Sequence, residues 1–139
     1  MSNSPANGAR QPATSGQPQR PVCLVDDDPG VLDSLTVLLE ALGFDVVTFA
    51  SGAELLADER RRTAGCLLID QHMPSMDGLD AIDKLRSEGV MTPTIVITGR
   101  LDANIAARGA KLGVTEILEK PFSTKRIADL VRASLDQAP

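Results

Sequence analysis

At 139 residues with 42% apolar side chains, the chain has room for one domain with a single core, and 2% aromatics make that core aliphatic. No apolar run approaches a membrane span and the N-terminus lacks the apolar centre of a signal peptide, so a cytoplasmic protein without membrane contact is expected. The net charge is −5, and −7 once Arg10 and Arg20 are set aside. That balance argues against direct nucleic-acid binding and is compatible with a divalent cation.

Residues 1–20 are Ser, Pro, Asn, Gly, Gln and Ala with almost no apolar bulk, a composition that predicts a disordered tail ahead of a domain over 21–137. From Pro21 onward, short apolar runs alternate with helical patterns. The runs are Val22–Val25, Val46–Phe49, Cys66–Ile69, Thr94–Ile97 and the short Ile117–Leu118. All but the last are continuously apolar or nearly so, as in strands of a parallel sheet covered on both faces, while the last fits an edge. Cys23 and Cys66 lie inside such runs and read as buried, reduced thiols.

Between the runs, Asp28 caps a first helix, Pro29 takes its first turn, and Val31, Leu35, Leu38, Leu39 and Leu42 form its stripe before Gly43. A second helix is predicted over roughly Gly52 to Arg62, with Arg60-Arg61-Arg62 a solvated basic end. A third starts near Asp77 and carries Leu79, Ile82 and Leu85. A fourth spans Ala103 to Leu112 and is weakened by Gly109; a fifth begins at Ser123 with Ile127, Leu130, Val131 and Leu135. Five βα units imply an α/β fold: a flavodoxin-like (βα)5 doubly wound parallel sheet, strand order 2-1-3-4-5.

In such a sheet, ligands bind at the carboxyl ends of the strands near the switch in strand order, here between strands one and three. Strand one runs into Asp26-Asp27-Asp28 and strand three into Asp70. Carboxylates converging on one edge repel unless a hard cation with oxygen ligands joins them, and Mg2+ suits a site of few carboxylates. Asp28 is explained as a helix cap; Asp26, Asp27 and Asp70 are not. Strand four ends in Thr98, and strand five leads into Lys120-Pro121. A hydroxyl and an ammonium at the same edge are suitable donors to phosphoryl oxygens.

These elements, with Asp70-Gln71-His72-Met73-Pro74-Ser75-Met76-Asp77-Gly78, Ile97-Thr98-Gly99 and Lys120-Pro121-Phe122, make the chain resemble a response-regulator receiver domain of the CheY-like kind, in wording most similar to FixJ-type receivers. The resemblance implies a two-component phosphorelay switch of bacterial type that is not an enzyme beyond its own phosphorylation and dephosphorylation. Asp70 would take the phosphoryl group from a phosphohistidine on a sensor histidine kinase or phosphotransfer protein. Asp26, Asp27, Asp70 and the backbone carbonyl of His72 would hold Mg2+, Lys120 would pair with the phosphoryl group before a cis bond to Pro121, and Thr98 would report it. The face of helix 4, strand 5 and helix 5 would serve a homodimer or an output partner. Stand-alone regulator and receiver of a longer transcription regulator both fit.

One position departs from the resemblance: the aromatic residue usual three positions before the Lys is Ile117, so coupling is expected through the fourth helix and its leading loop. Two other readings compete. A phosphatase of the haloacid dehalogenase type shares an Asp-x-Asp spacing, but Gly30 stands where that family needs Thr or Val, and no cap segment is present. An unphosphorylated pseudo-receiver would draw its only support from Ile117.

Overall fold

The computed structural model describes residues 20–137, so the tail expected over 1–20 falls, Arg20 apart, outside the described residues. Strands β1 (Val22–Val25), β2 (Val46–Phe49), β3 (Cys66–Asp70), β4 (Thr94–Thr98) and β5 (Glu116–Glu119) alternate with helices α1 (Pro29–Ala41), α2 (Gly52–Ala57), α3 (Gly78–Ser87), α4 (Ala103–Leu112) and α5 (Thr124–Gln137). Every pairing is parallel and the order is β2-β1-β3-β4-β5, the arrangement expected from the apolar runs.

Side chains alternate across a strand, and here both sides are apolar because both faces are covered. One face carries Cys23, Val25, Leu67, Ile69 and Val96 against Leu55 of α2, Leu79, Ile82 and Leu85 of α3 and Ile105 of α4. The other carries Val22, Leu24, Leu68, Ile95 and Ile97 against Leu39 of α1 and Ile127 and Val131 of α5. The edge strand β2 is wetter than its composition suggests, with Thr48 exposed. The α1 stripe is also looser than expected: Leu39 is its one fully buried member, while Leu42 is exposed.

Local chemistry sets the helix ends. The Asp28 carboxylate accepts from Gly30 N at 2.9 Å, and Pro29 fills the first turn. Asp77 and Asp80 form a reciprocal capping box on α3. The second helix stops at Ala57, where the sequence pattern predicts continuation to Arg62. Asp58 is extended there, and its carboxylate accepts from Arg60 N at 2.8 Å, opening a separate 3-10 turn over Glu59–Arg62. An aspartate that offers the backbone its own hydrogen bond competes with helix continuation. The basic run is not uniformly solvated either, since Arg61 is buried and pairs with Glu88 of the loop after α3 at 2.9 Å.

Cys23 and Cys66 are free and buried, as expected. Burial pushes their thiols up to about 11 and about 12, respectively. The native protein should therefore react with no thiol reagent at pH 8, and both thiols should titrate after unfolding. A fast-reacting native thiol would contradict the packing.

Candidate functional site

Register alone brings the acids together. Val25 of β1 sits opposite Ile69 of β3, so the next residues, Asp26 and Asp70, emerge side by side at the carboxyl edge. Backbone bonds extend the ladder past the strand ends: Asp26 N to Phe49 O at 3.2 Å, Gln71 N to Ile97 O at 2.8 Å and Lys120 N to Thr98 O at 2.9 Å. Asp70, Thr98 and Lys120 thereby reach one edge from three successive strands.

Carboxylate oxygens of Asp26, Asp27 and Asp70 lie within 4.8 Å of one another. Asp26 and Asp70 are buried at 4% and 6% exposure, while Asp27 is exposed. Lys120 Nζ stands 3.4 Å from Asp70 Oδ1. One ammonium does not balance three carboxylates, and burial holds both buried acids above the ordinary carboxylate range. For Asp26, burial is opposed by the Asp28 N–H and reinforced by the Asp70 charge. For Asp70, burial outweighs the lowering by Lys120. Oxygens around an ion bound at about 2.0–2.1 Å lie about 3–4 Å apart, so three carboxylates at this spacing suit a small hard dication. Among the described residues this is the cluster that could hold a metal.

Thr98 is fully buried, and its hydroxyl bonds Arg100 and His72 Nε2, the latter at 3.2 Å. The His72 side chain thus faces the strand-four residue, a role the sequence did not suggest. Two further supports escape sequence reasoning. The buried Gln71 amide accepts from Leu79 N at 2.9 Å, tying the residue after Asp70 to the start of α3. Gly78 packs so closely beneath Asp70 that a Cβ there would lie 2.6 Å from Asp70 O. An apolar strand followed by Asp-Gln signals the first; nothing in one sequence signals the second.

A family model described as "Response regulator receiver domain" matches residues 22–132. The chain belongs to the response-regulator receiver family. Among its relatives, Response regulator protein TodT of Pseudomonas putida is 36% identical over 118 residues, covering 85% of this chain and 52% of TodT. Transcriptional regulatory protein FixJ of Azorhizobium caulinodans is 38% identical over 118 residues, covering 85% of this chain and 56% of FixJ. The crystal structure of FixJ-N superposes with a TM-score of 0.80 at 30% identity, covering 88% of this chain and 98% of that one. The chain spans about half the length of the curated relatives it matches. It is a receiver domain of two-component response regulators, closely related to the FixJ type, and neither competing reading is better supported. Receiver domains bind Mg2+ at an acidic pocket and are typically non-enzymatic signalling modules. No helix among the described residues is long and apolar enough to cross a membrane.

The receiver's departure at Ile117 has a structural counterpart. A Cβ on Gly109 of α4 would lie 2.8 Å from Ile117 Cδ1, so Ile117 fills the space that the missing side chain leaves. Gly109 thus does more than weaken α4: it lets β5 and α4 approach closely. The same helix is tied to both ends of α3. Arg108 bonds Asp77 and Asp80 at 3.2–3.3 Å, and Arg86 Nε donates to Leu112 O at 2.9 Å.

Proposed function

We propose that Asp70 is the phosphoacceptor of this receiver. One Asp70 oxygen forms a bond to phosphorus as the P–N bond of a kinase or phosphotransfer-protein phosphohistidine breaks. The departing nitrogen keeps the electron pair; the ring enters protonated and leaves neutral. Asp26, Asp27, Asp70 and the His72 carbonyl would hold Mg2+, which neutralises phosphoryl charge when bound. Lys120 supplies a second positive charge to the phosphoryl oxygens, and Thr98 turns towards them. The observation that carries this reading is the placement of Lys120 Nζ 3.4 Å from a buried carboxylate that shares its pocket with two more.

The added charge then biases the β4–α4 loop and α4, and through the face of α4, β5 and α5 a homodimer or an output domain. The acidic composition favours action through protein contacts in the cytoplasm rather than on nucleic acid directly. Acetyl phosphate with Mg2+ should label the wild type stoichiometrically and self-limitingly, and Asp70→Asn not at all. Equal labelling of both would refute the assignment, and steady turnover of a phosphate ester would favour an enzyme.

A further inference from the structure

A hydroxyl has one proton and two lone pairs, and the Thr98 hydroxyl has three polar neighbours to meet them. It donates to Arg100 O at 3.1 Å and accepts from Arg100 N at 3.2 Å. The remaining lone pair faces His72 Nε2 at 3.2 Å. With the hydroxyl proton on Arg100 O, that contact is a hydrogen bond in which the imidazole Nε2–H donates. Donation from an Nε2–H is the direction that satisfies Arg100 O, Arg100 N and the hydroxyl together.

We infer that His72 is a positioning residue: its Nε2–H holds Thr98 in the resting orientation and is released when Thr98 turns to a phosphoryl group on Asp70. The release rests on the phosphoacceptor reading given above; the resting contact does not. His72 lies two residues beyond Asp70, so the segment that bears the acceptor also bears the group restraining the sensor.

The restraint matters because Thr98 is fully buried. Buried polar groups left without partners are costly, so the hydroxyl leaves its three bonds only when a phosphoryl oxygen replaces them. Turning also frees Arg100, leaving the loop before α4 held by the bond from Leu101 N to Glu119 Oε2, 2.9 Å, and by the Asp102 cap. Ile117, an aliphatic side chain packed against Gly109, offers the moving hydroxyl no polar partner. The polar link from Thr98 thus runs to His72 and Arg100.

The chain contains one histidine, so both imidazole nitrogen resonances belong to His72, and their couplings to the ring protons tell Nδ1 from Nε2. In Mg2+ buffer, the wild type should show the Nε2–H tautomer. Beryllofluoride, an analogue of the phosphoryl group, should shift the Nε2 resonance, and Thr98→Val should shift it without the analogue. Beryllofluoride affinity supplies the functional readout, because apparent affinity scales with the population of the competent state. His72→Ala, which keeps the backbone carbonyl, should bind about threefold to tenfold more tightly, the worth of one neutral hydrogen bond. His72→Gln, whose amide nitrogen reaches about as far as Nε2, should return near the wild-type affinity.

An Nδ1–H tautomer, a resonance indifferent to Thr98→Val, or a folded His72→Ala no tighter than wild type would each overturn the inference. If neither wild type nor Asp70→Asn binds the analogue, the phosphoacceptor reading fails and the release fails with it. The Thr98→Val spectrum then still decides whether the resting contact exists.

Discussion

Gly78→Ala is expected to destabilise the domain by about 2 kcal/mol and to lower Tm by about 6–10 °C. Helix propensity points the other way, since alanine in place of glycine favours a helix by up to about 1 kcal/mol. The clash wins because of what the new methyl meets. Its nearest neighbours would be Asp70 O at 2.6 Å and Gln71 Cα at 3.1 Å, all backbone, with no flexible side chain to swing aside. Relief requires α3 to move off β3, which strains the bond from Gly78 N to Gln71 O, 3.0 Å, and the Gln71–Leu79 bond beside it. The same movement displaces Asp70 from Lys120, so acetyl-phosphate labelling should slow beyond what the lost stability explains. Gly99→Ala is the control: nothing lies within 4 Å of its Cβ position and its φ is not positive, so stability should change by no more than about 0.5 kcal/mol. Thermal melts of both variants with labelling time courses check the contrast. Equal stabilities would mean that the close approach at Gly78 is absent.

The difference between these two glycines shows where sequence reading stops. The strand order, the edge position of β5 and the meeting of Asp26, Asp27 and Asp70 were legible, because each follows from local patterns and from parallel register. The α3 stripe of Leu79, Ile82 and Leu85 was legible for the same reason, and all three are buried. What was not legible depends on contacts between residues far apart in the chain. Arg61 looked like one of three solvated cations until Glu88 of a distant loop closed over it. The second helix broke at Asp58 because that side chain bonds Arg60 in preference to continuing the turn. The Thr98–His72 bond spans 26 positions, and Gly109 reads as a weak helix residue until Ile117 is seen above it.

The carboxylate cluster makes the second large prediction, and its sign is opposite to that of an ordinary ion pair. Metal-free protein should lose stability as pH rises from the ordinary aspartate value of 3.8 through the raised values of Asp26 and Asp70. In that window the folded state still holds protons that the unfolded chain has released, so raising pH favours unfolding. Asp58, Asp77, Glu88 and Asp129 behave conversely: their carboxyls are held low, and the stability they add is lost as pH falls below the ordinary range. Above the ordinary aspartate value, therefore, the falling limb belongs to the cluster. Two unit charges about 5 Å apart repel by roughly 3 kcal/mol at an effective dielectric of 20, before Lys120 and solvent offset part of it. Asp26→Asn and Asp70→Asn should each stabilise the metal-free protein at pH 7 by on the order of 1 kcal/mol. The amide introduced by Asp26→Asn keeps an oxygen to accept from Asp28 N, so that bond survives the substitution. Lys120 is 44% exposed, so the ion pair lost in Asp70→Asn costs little. Mg2+ should reverse the ranking, raising wild-type Tm by mass action while leaving Asp70→Asn nearly unchanged. Denaturant titrations in steps from about pH 4 to pH 7, with chelator and with Mg2+, read all of these effects. A wild type no less stable than Asp26→Asn and Asp70→Asn at pH 7 in chelator, and unmoved by Mg2+, would mean that the three carboxylates do not form a strained cation site.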